Sequence, residues 1–110
     1  MRARRSHSDV AFKLRVSVRA HNDLQGIWDY ISEFSVPSAD KTVDAIVDAY
    51  MSLLEHPFRG RSRDDLRPSL RNLVVNKYLV FYRVENEVIF VSRIIHGARD
   101  LESIFKEEQP

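Results

Sequence analysis

The sequence predicts an α+β domain built in the order β-α-α-β-β-β, with a helix hairpin packed on one face of a small twisted antiparallel sheet. Three observations carry this expectation. A period-two strand pattern over residues 12–18 gives way to helical spacing from Arg19. Two amphipathic stripes of helix length follow, joined only by a short proline-containing link. The last part of the chain then holds three β-rich runs separated by two-residue breaks. At 110 residues, 44% of them apolar and 30% charged, the chain has room for one compact domain and not for two.

Residues 1–9 are polar and basic without periodicity and read as a flexible arm, leaving 10–110 as the single folded domain. Phe12, Leu14, Val16 and Val18 alternate with Lys13, Arg15 and Ser17, as in a strand with one wet face. Ala20, Leu24, Ile27, Trp28 and Ile31 then fall on one helical stripe, with Asp23, Asp29 and Glu33 expected on the opposite side and an end near Phe34. Ser35-Val36-Pro37-Ser38 interrupts, because proline is excluded from a helix interior and accepted in a first turn. The second helix carries Ala39, Val43, Ile46, Val47, Tyr50 and Leu54 on its apolar side until His56-Pro57 stops it.

After the turn-rich basic stretch Arg59–Asp65, strands are expected at Leu70–Val75, Tyr78–Val84 and Val88–Ile95. Asn76-Lys77 and Glu85-Asn86 serve as hairpin turns, and Asp100–Phe105 adds a closing helical turn. If Tyr78, Val80, Tyr82 and Val84 face the helices, alternation turns Leu79, Phe81 and Arg83 to an open face beside the basic loop, a candidate contact surface.

The composition excludes several classes of chemistry. With no cysteine there is no disulfide framework, thiolate metal site or cysteine nucleophile. No apolar run reaches membrane-spanning length and no apolar stretch follows the basic N-terminus, so neither insertion nor export is expected and the expected location is cytoplasmic. The four histidines are scattered, no glycine-rich phosphate loop is present, and no serine lies in a nucleophile-elbow sequence; neither metal nor cofactor is expected. The net charge of +1 conceals a segregation. Residues 1–20 carry six basic and one acidic side chain, 21–56 one and seven, 57–83 seven and two, and 84–110 three and six. Alternating blocks of this kind give a dipolar surface with a basic zone suited to an acidic partner.

Two groups of residues are open to a chemical or a structural reading. Arg59, Arg61, Arg63, Arg67, Arg71, Arg83, Arg93 and Arg99 have the planar donor fork that clamps phosphate, or form a solvated basic face pairing with Asp64, Asp65 and the acidic helices. His96 ends an apolar strand before Gly97-Ala98-Arg99-Asp100; it is a proton-transfer candidate, or a strand-end histidine bonded to its own turn. Trp28 lies on the apolar stripe and reads as core.

Taken together, Ala20-His21-Asn22-Asp23-Leu24-Gln25-Gly26-Ile27-Trp28-Asp29-Tyr30-Ile31, His56-Pro57-Phe58-Arg59-Gly60-Arg61, Leu70-Arg71, Tyr78-Leu79-Val80-Phe81-Tyr82-Arg83 and Ile95-His96-Gly97-Ala98-Arg99-Asp100-Leu101 resemble the ParE toxins of the RelE/ParE superfamily. The likeness runs from Phe12 to Phe105. It implies one half of a bacterial type II toxin–antitoxin operon: a toxin that poisons DNA gyrase and is neutralised by a ParD-like antitoxin with a flexible tail. RelE-like relatives instead cut messenger RNA on the ribosome. Where these carry Tyr-Arg this chain has Tyr78-Leu79, and their C-terminal tyrosine corresponds to Phe105, which cannot exchange a proton. The resemblance therefore implies inhibition by binding, with no catalytic residue, and direct nucleic-acid binding is not expected. If the chain is a ribonuclease after all, Arg71, Arg83, His96 and Arg99 are its candidates. Target-binding candidates are Phe81, Arg83, Arg93, His96, Arg99 and Phe105; antitoxin-binding candidates are Trp28, Arg59, Arg61 and Arg71.

Overall fold

The computed structural model describes residues 11–107; the arm expected at 1–9 lies outside them. The elements are β1 (Lys13–Val16), α1 (Val18–Ser32), α2 (Val36–Met51) with a 3₁₀ turn at Ser52–Leu54, β2 (Arg61–Ser62), β3 (Arg71–Val75), β4 (Tyr78–Glu85), β5 (Val88–His96) and α3 (Leu101–Glu107). Serines start both long helices. Ser17 and Ser35 sit in extended conformation, and their hydroxyl oxygens accept the Ala20 and Ser38 N–H groups that the first turn leaves without partners. Ser17 also donates its hydroxyl to the Ser92 carbonyl at 2.9 Å, tying the start of α1 to β5.

The strands form one sheet in the order β1-β5-β4-β3-β2. The helix hairpin over a sheet is as expected, but the sheet is mixed: β1 runs parallel to β5, from Lys13 opposite Val88 to Val16 opposite Val91, and only the other pairings are antiparallel. No tight turn joins β1 to its neighbour. The chain passes through both helices and three strands before β5, so hairpin geometry does not impose a direction there. Arg61–Ser62, expected as loop, adds the short β2 against Arg71–Asn72.

Both hairpin turns manage without glycine because Asn76 and Asn86 adopt left-handed backbone, with φ of 55° and 58°, a conformation asparagine tolerates. The second turn falls at Asn86-Glu87, one residue later than expected. Between β4 and β5 the register slips: Phe81 opposes Arg93 while Tyr82 opposes Val91, which makes Ser92 the extra residue of a bulge.

Tyr78, Val80, Tyr82 and Val84 turn toward the helices as alternation predicts, and pack with Leu24, Ile46, Tyr50 and Ile89 in the main core. The other sheet face is not the open surface expected for Phe81. The closing turn extends to a two-turn helix, α3, whose Phe105 packs edge-on against Phe81 with ring centroids 4.8 Å apart, beside Leu70 and Ile95. This second cluster buries Phe81 and Phe105 completely or nearly so. Apolar residues on a sheet face are driven to find cover, and the last segment of the domain supplies it.

Candidate functional site

The basic stretch on either side of β2 is held in place by arginines. Arg71 Nη1 donates to the carbonyls of Phe58 at 3.1 Å and Gly60 at 2.7 Å, while its guanidinium lies over the Phe58 ring at 5.2 Å. Gly60 N–H donates to Tyr82 Oη at 2.9 Å. Burial raises the Tyr82 pKa above its ordinary value, although the Gly60 bond and the Arg71 and Arg59 charges pull the other way. Arg63 makes two 3.0 Å bonds to Asp65, holding that carboxyl below its usual range and raising the Arg63 pKa. Arg59 on the loop and Arg61 at the start of β2 stand exposed, and their neighbours Phe58 and Ser62 line a polar pocket of about 240 Å³ together with Asp64, Ser69 and Arg71.

His96 lies at the far end of the sheet. Its Nδ1 accepts Ala98 N–H at 3.1 Å, so a neutral ring carries its proton on Nε2, and Tyr78 meets it edge-on at 5.4 Å. The strand-end histidine bonded to its own turn is thus the arrangement observed. Arg99 follows on the same turn, exposed. Arg83 is half-exposed, 3.5 Å from Glu85 and stacked over the Phe90 ring at 4.6 Å.

Three target-binding candidates are interior residues. Phe81 is 0% exposed, Phe105 2% and Arg93 6%. The first two form the core under α3. Arg93 is turned inward onto Asp23 of α1, with Nε 2.8 Å from Oδ2 and Nη2 3.1 Å from Oδ1. As they stand these side chains offer no contact surface. Asp23, expected on the solvent side of α1, faces the sheet; its sequence signal was its place one residue before the buried Leu24, at the margin of the apolar stripe. Arg67 was also missed as a structural residue. Its Nη2 donates to the Phe105 carbonyl at 2.9 Å and its guanidinium lies 5.5 Å from the Phe105 ring, pinning the end of α3.

On the helix hairpin, Trp28 is half-buried and donates from Nε1 to Asp40 Oδ1 at 2.8 Å, bridging α1 and α2. It borders an open groove of about 430 Å³ lined by His21, Leu24, Gln25 and Val43. Among the described residues no three histidine or acidic side chains are grouped to hold a metal ion, and no helix is long and apolar enough to cross a membrane.

The strand register separates the four ribonuclease candidates. Arg71 lies opposite Tyr82, whereas His96 lies opposite Tyr78, four residues or about 14 Å along the strand direction and on the other side of β4. Arg83 is one residue further still, on the opposite sheet face from Tyr82. His96 and Arg99 share a turn; Arg71 and Arg83 join neither it nor each other.

Residues 14–101 match the family described as ParE toxin of the type II toxin–antitoxin system parDE. The chain is 39% identical over 82 residues to Toxin RelE2 of Caulobacter vibrioides, covering 74% of this chain and 90% of that one. It is 30% identical over 93 residues to Toxin ParE1 of Mycobacterium tuberculosis, covering 83% and 93%. A solved structure of the chromosomal ParDE toxin–antitoxin system from P. aeruginosa superposes with a TM-score of 0.70 at 26% identity, covering 78% of this chain and 96% of that one. The toxin–antitoxin complex RelBE2 from Mycobacterium tuberculosis shares the fold, with a TM-score of 0.56 at 21% identity over 79% of this chain and 99% of that one.

Proposed function

The chain belongs to the ParE toxin family of type II toxin–antitoxin systems, and on that premise we propose that it acts as a non-enzymatic inhibitor of DNA gyrase, held inactive by a ParD-like antitoxin. The observation that carries this reading is the dispersal of the ribonuclease candidates. Cleavage of RNA needs a proton acceptor, a proton donor and phosphate-binding groups converging within hydrogen-bond reach of one phosphodiester. Here Arg71 is spent on two loop carbonyls, Arg83 lies on the other sheet face, and His96 is about 14 Å along the sheet. Phe105, at the position of the ribonuclease tyrosine, is buried.

His96 and Arg99 on the turn after β5, together with Arg83, are the accessible target contacts in this reading. Phe81, Arg93 and Phe105, being interior, are not contacts in this reading. Purified toxin should abolish supercoiling by gyrase or trap cleaved DNA, and Arg99→Ala should weaken that effect without lowering thermal stability. Unaltered supercoiling at saturating toxin, together with codon-linked transcript cleavage soon after induction, would replace this reading with the ribonuclease one.

The antitoxin reading is supported by the P. aeruginosa ParDE likeness and by surface chemistry. Arg59 and Arg61 beside the exposed Phe58 ring suit an acidic, apolar tail, with Arg71 holding that loop in place, and the Trp28 groove offers a second apolar seat. Toxin, antitoxin and target would meet in the cytoplasm. Association with the product of the neighbouring small reading frame should be tight, with an on-rate that falls as salt is added. Absence of binding at low salt would remove the pair.

A further inference from the structure

The turn after β5 is exposed from Gly97 to Asp100, yet its backbone is bonded at three successive residues. Gly97 N–H donates to the Lys77 carbonyl at 2.8 Å, Ala98 N–H to His96 Nδ1 at 3.1 Å and Arg99 N–H to the His96 carbonyl at 3.1 Å. Asp100 closes the segment at the start of α3, its carboxylate accepting Ser103 N–H at 3.3 Å and the Ser103 hydroxyl at 2.9 Å. Residues 97–100 place no side chain in either core cluster, so these bonds are what holds the backbone of Arg99 in place.

One of these acceptors differs from the rest. Carbonyls keep their lone pairs at any pH, whereas imidazole is the side chain whose ordinary titration falls between about pH 5 and 8. Nδ1 has a single in-plane lone pair, which takes either the Ala98 N–H or a proton. An imidazolium carries donors on both nitrogens and sets N–H against N–H. Protons therefore bind the open turn better than the closed one, so the closed turn is favoured at neutral pH and lost as pH falls. The groups around the ring do not offset this. Tyr78 of β4 meets it edge-on at 5.4 Å, and the Tyr78 pKa is raised chiefly by burial and further by Tyr30 of α1. Lys77 and Arg99 are the cations of the two turns that the Gly97 bond joins, and Asp100, the acid, is engaged by Ser103. Among the described residues no carboxylate pairs with His96, so no anion stabilises a charged ring in the closed turn.

We propose that His96 is the positioning residue of this turn: its unprotonated Nδ1 latches Ala98, and a proton taken up there releases the segment that displays Arg99. This deepens the gyrase reading, on which the identity of the molecule touched by Arg99 rests. The latch itself is measured on the isolated full chain, so the two fail separately. Amide exchange is followed by NMR at about pH 7.5 and about pH 5.5, each rate being divided by that of unstructured peptide at the same pH. Protection of Ala98 should fall about fivefold or more on acidification, the worth of one neutral hydrogen bond, while β4 and β5 keep theirs. His96→Asn places Oδ1 as many bonds from the backbone as Nδ1, as the acceptor of an Asx turn that takes up no proton in this range, and should keep Ala98 protected at both pH values. His96→Phe keeps a ring against Tyr78 without an acceptor and should leave Ala98 unprotected at both. Ala98 protection that ignores pH in the wild-type chain would overturn the proposal, as would a His96→Asn turn as open as that of His96→Phe. So would ring nitrogen shifts that put the proton of the neutral imidazole on Nδ1.

Discussion

The Asp23 carboxylate of α1 takes three hydrogen bonds from β5: Arg93 Nε at 2.8 Å, Arg93 Nη2 at 3.1 Å and the Ile94 backbone N–H at 2.8 Å. The third bond explains why an acid is tolerated there. β1 ends at Val16 opposite Val91, so beyond that point no strand among the described residues lies on the outer edge of β5. Asp23 stands in for the missing strand by accepting one of the freed N–H groups, and the guanidinium balances its charge.

Asp23→Ala removes a carboxylate that accepts two bonds from the nearly closed Arg93 guanidinium and strips Ile94 N–H of its acceptor. The expected loss is about 3–5 kcal/mol, read as a lower urea midpoint with unchanged slope. Asp23→Asn keeps one acceptor and should cost less.

Glycine substitutions should have opposite signs at two positions. A Cβ on Gly60 would lie 2.5 Å from Tyr82 Oη and 2.6 Å from Cε1, so Gly60→Ala forces the ring or the loop to move and should destabilise by about 1–3 kcal/mol. Gly26, in the interior of α1 with nothing within 4 Å of a built Cβ, should gain about 0.5–1 kcal/mol when replaced by alanine. Paired thermal melts check both.

Arg67→Ala should loosen α3 without unfolding the domain. It removes the bond to the Phe105 carbonyl and the stacked cation, together worth about 1–2 kcal/mol. Amide exchange at residues 101–107 should accelerate while exchange in β4 and β5 stays as it was.

Alkaline pH should unfold the chain through its buried phenols. Burial raises the pKa of Tyr50, Tyr78 and Tyr82 above the ordinary value of 10.0. A raised folded-state pKa means the neutral form is favoured on folding, so this stability is fully present below pH 10.0 and is lost as pH climbs from there through the folded values. Urea midpoints measured from neutral pH upward should hold steady and then fall beyond that point. Tyr82→Phe should flatten the fall while lowering the plateau, because Gly60 N–H loses its acceptor.

The order of elements apart from the short β2, the two helix stripes, the inward set Tyr78, Val80, Tyr82 and Val84 on β4 and the strand-end bond of His96 were legible in the residues. Each rests on local periodicity or turn chemistry that neighbouring residues impose on one another. Tertiary structure alone decided the direction of β1, because no short turn ties that strand to β5. It also decided which of the candidate arginines are working parts of the scaffold. Arg67, Arg71 and Arg93 look alike in sequence, and each is fixed by a partner between 11 and 70 residues away. The fate of Phe81 was settled in the same way, when α3 folded back over a sheet face that alternation had left facing water. Periodicity reports which side of an element is apolar, whereas the burial of that side depends on what distant chain arrives to cover it.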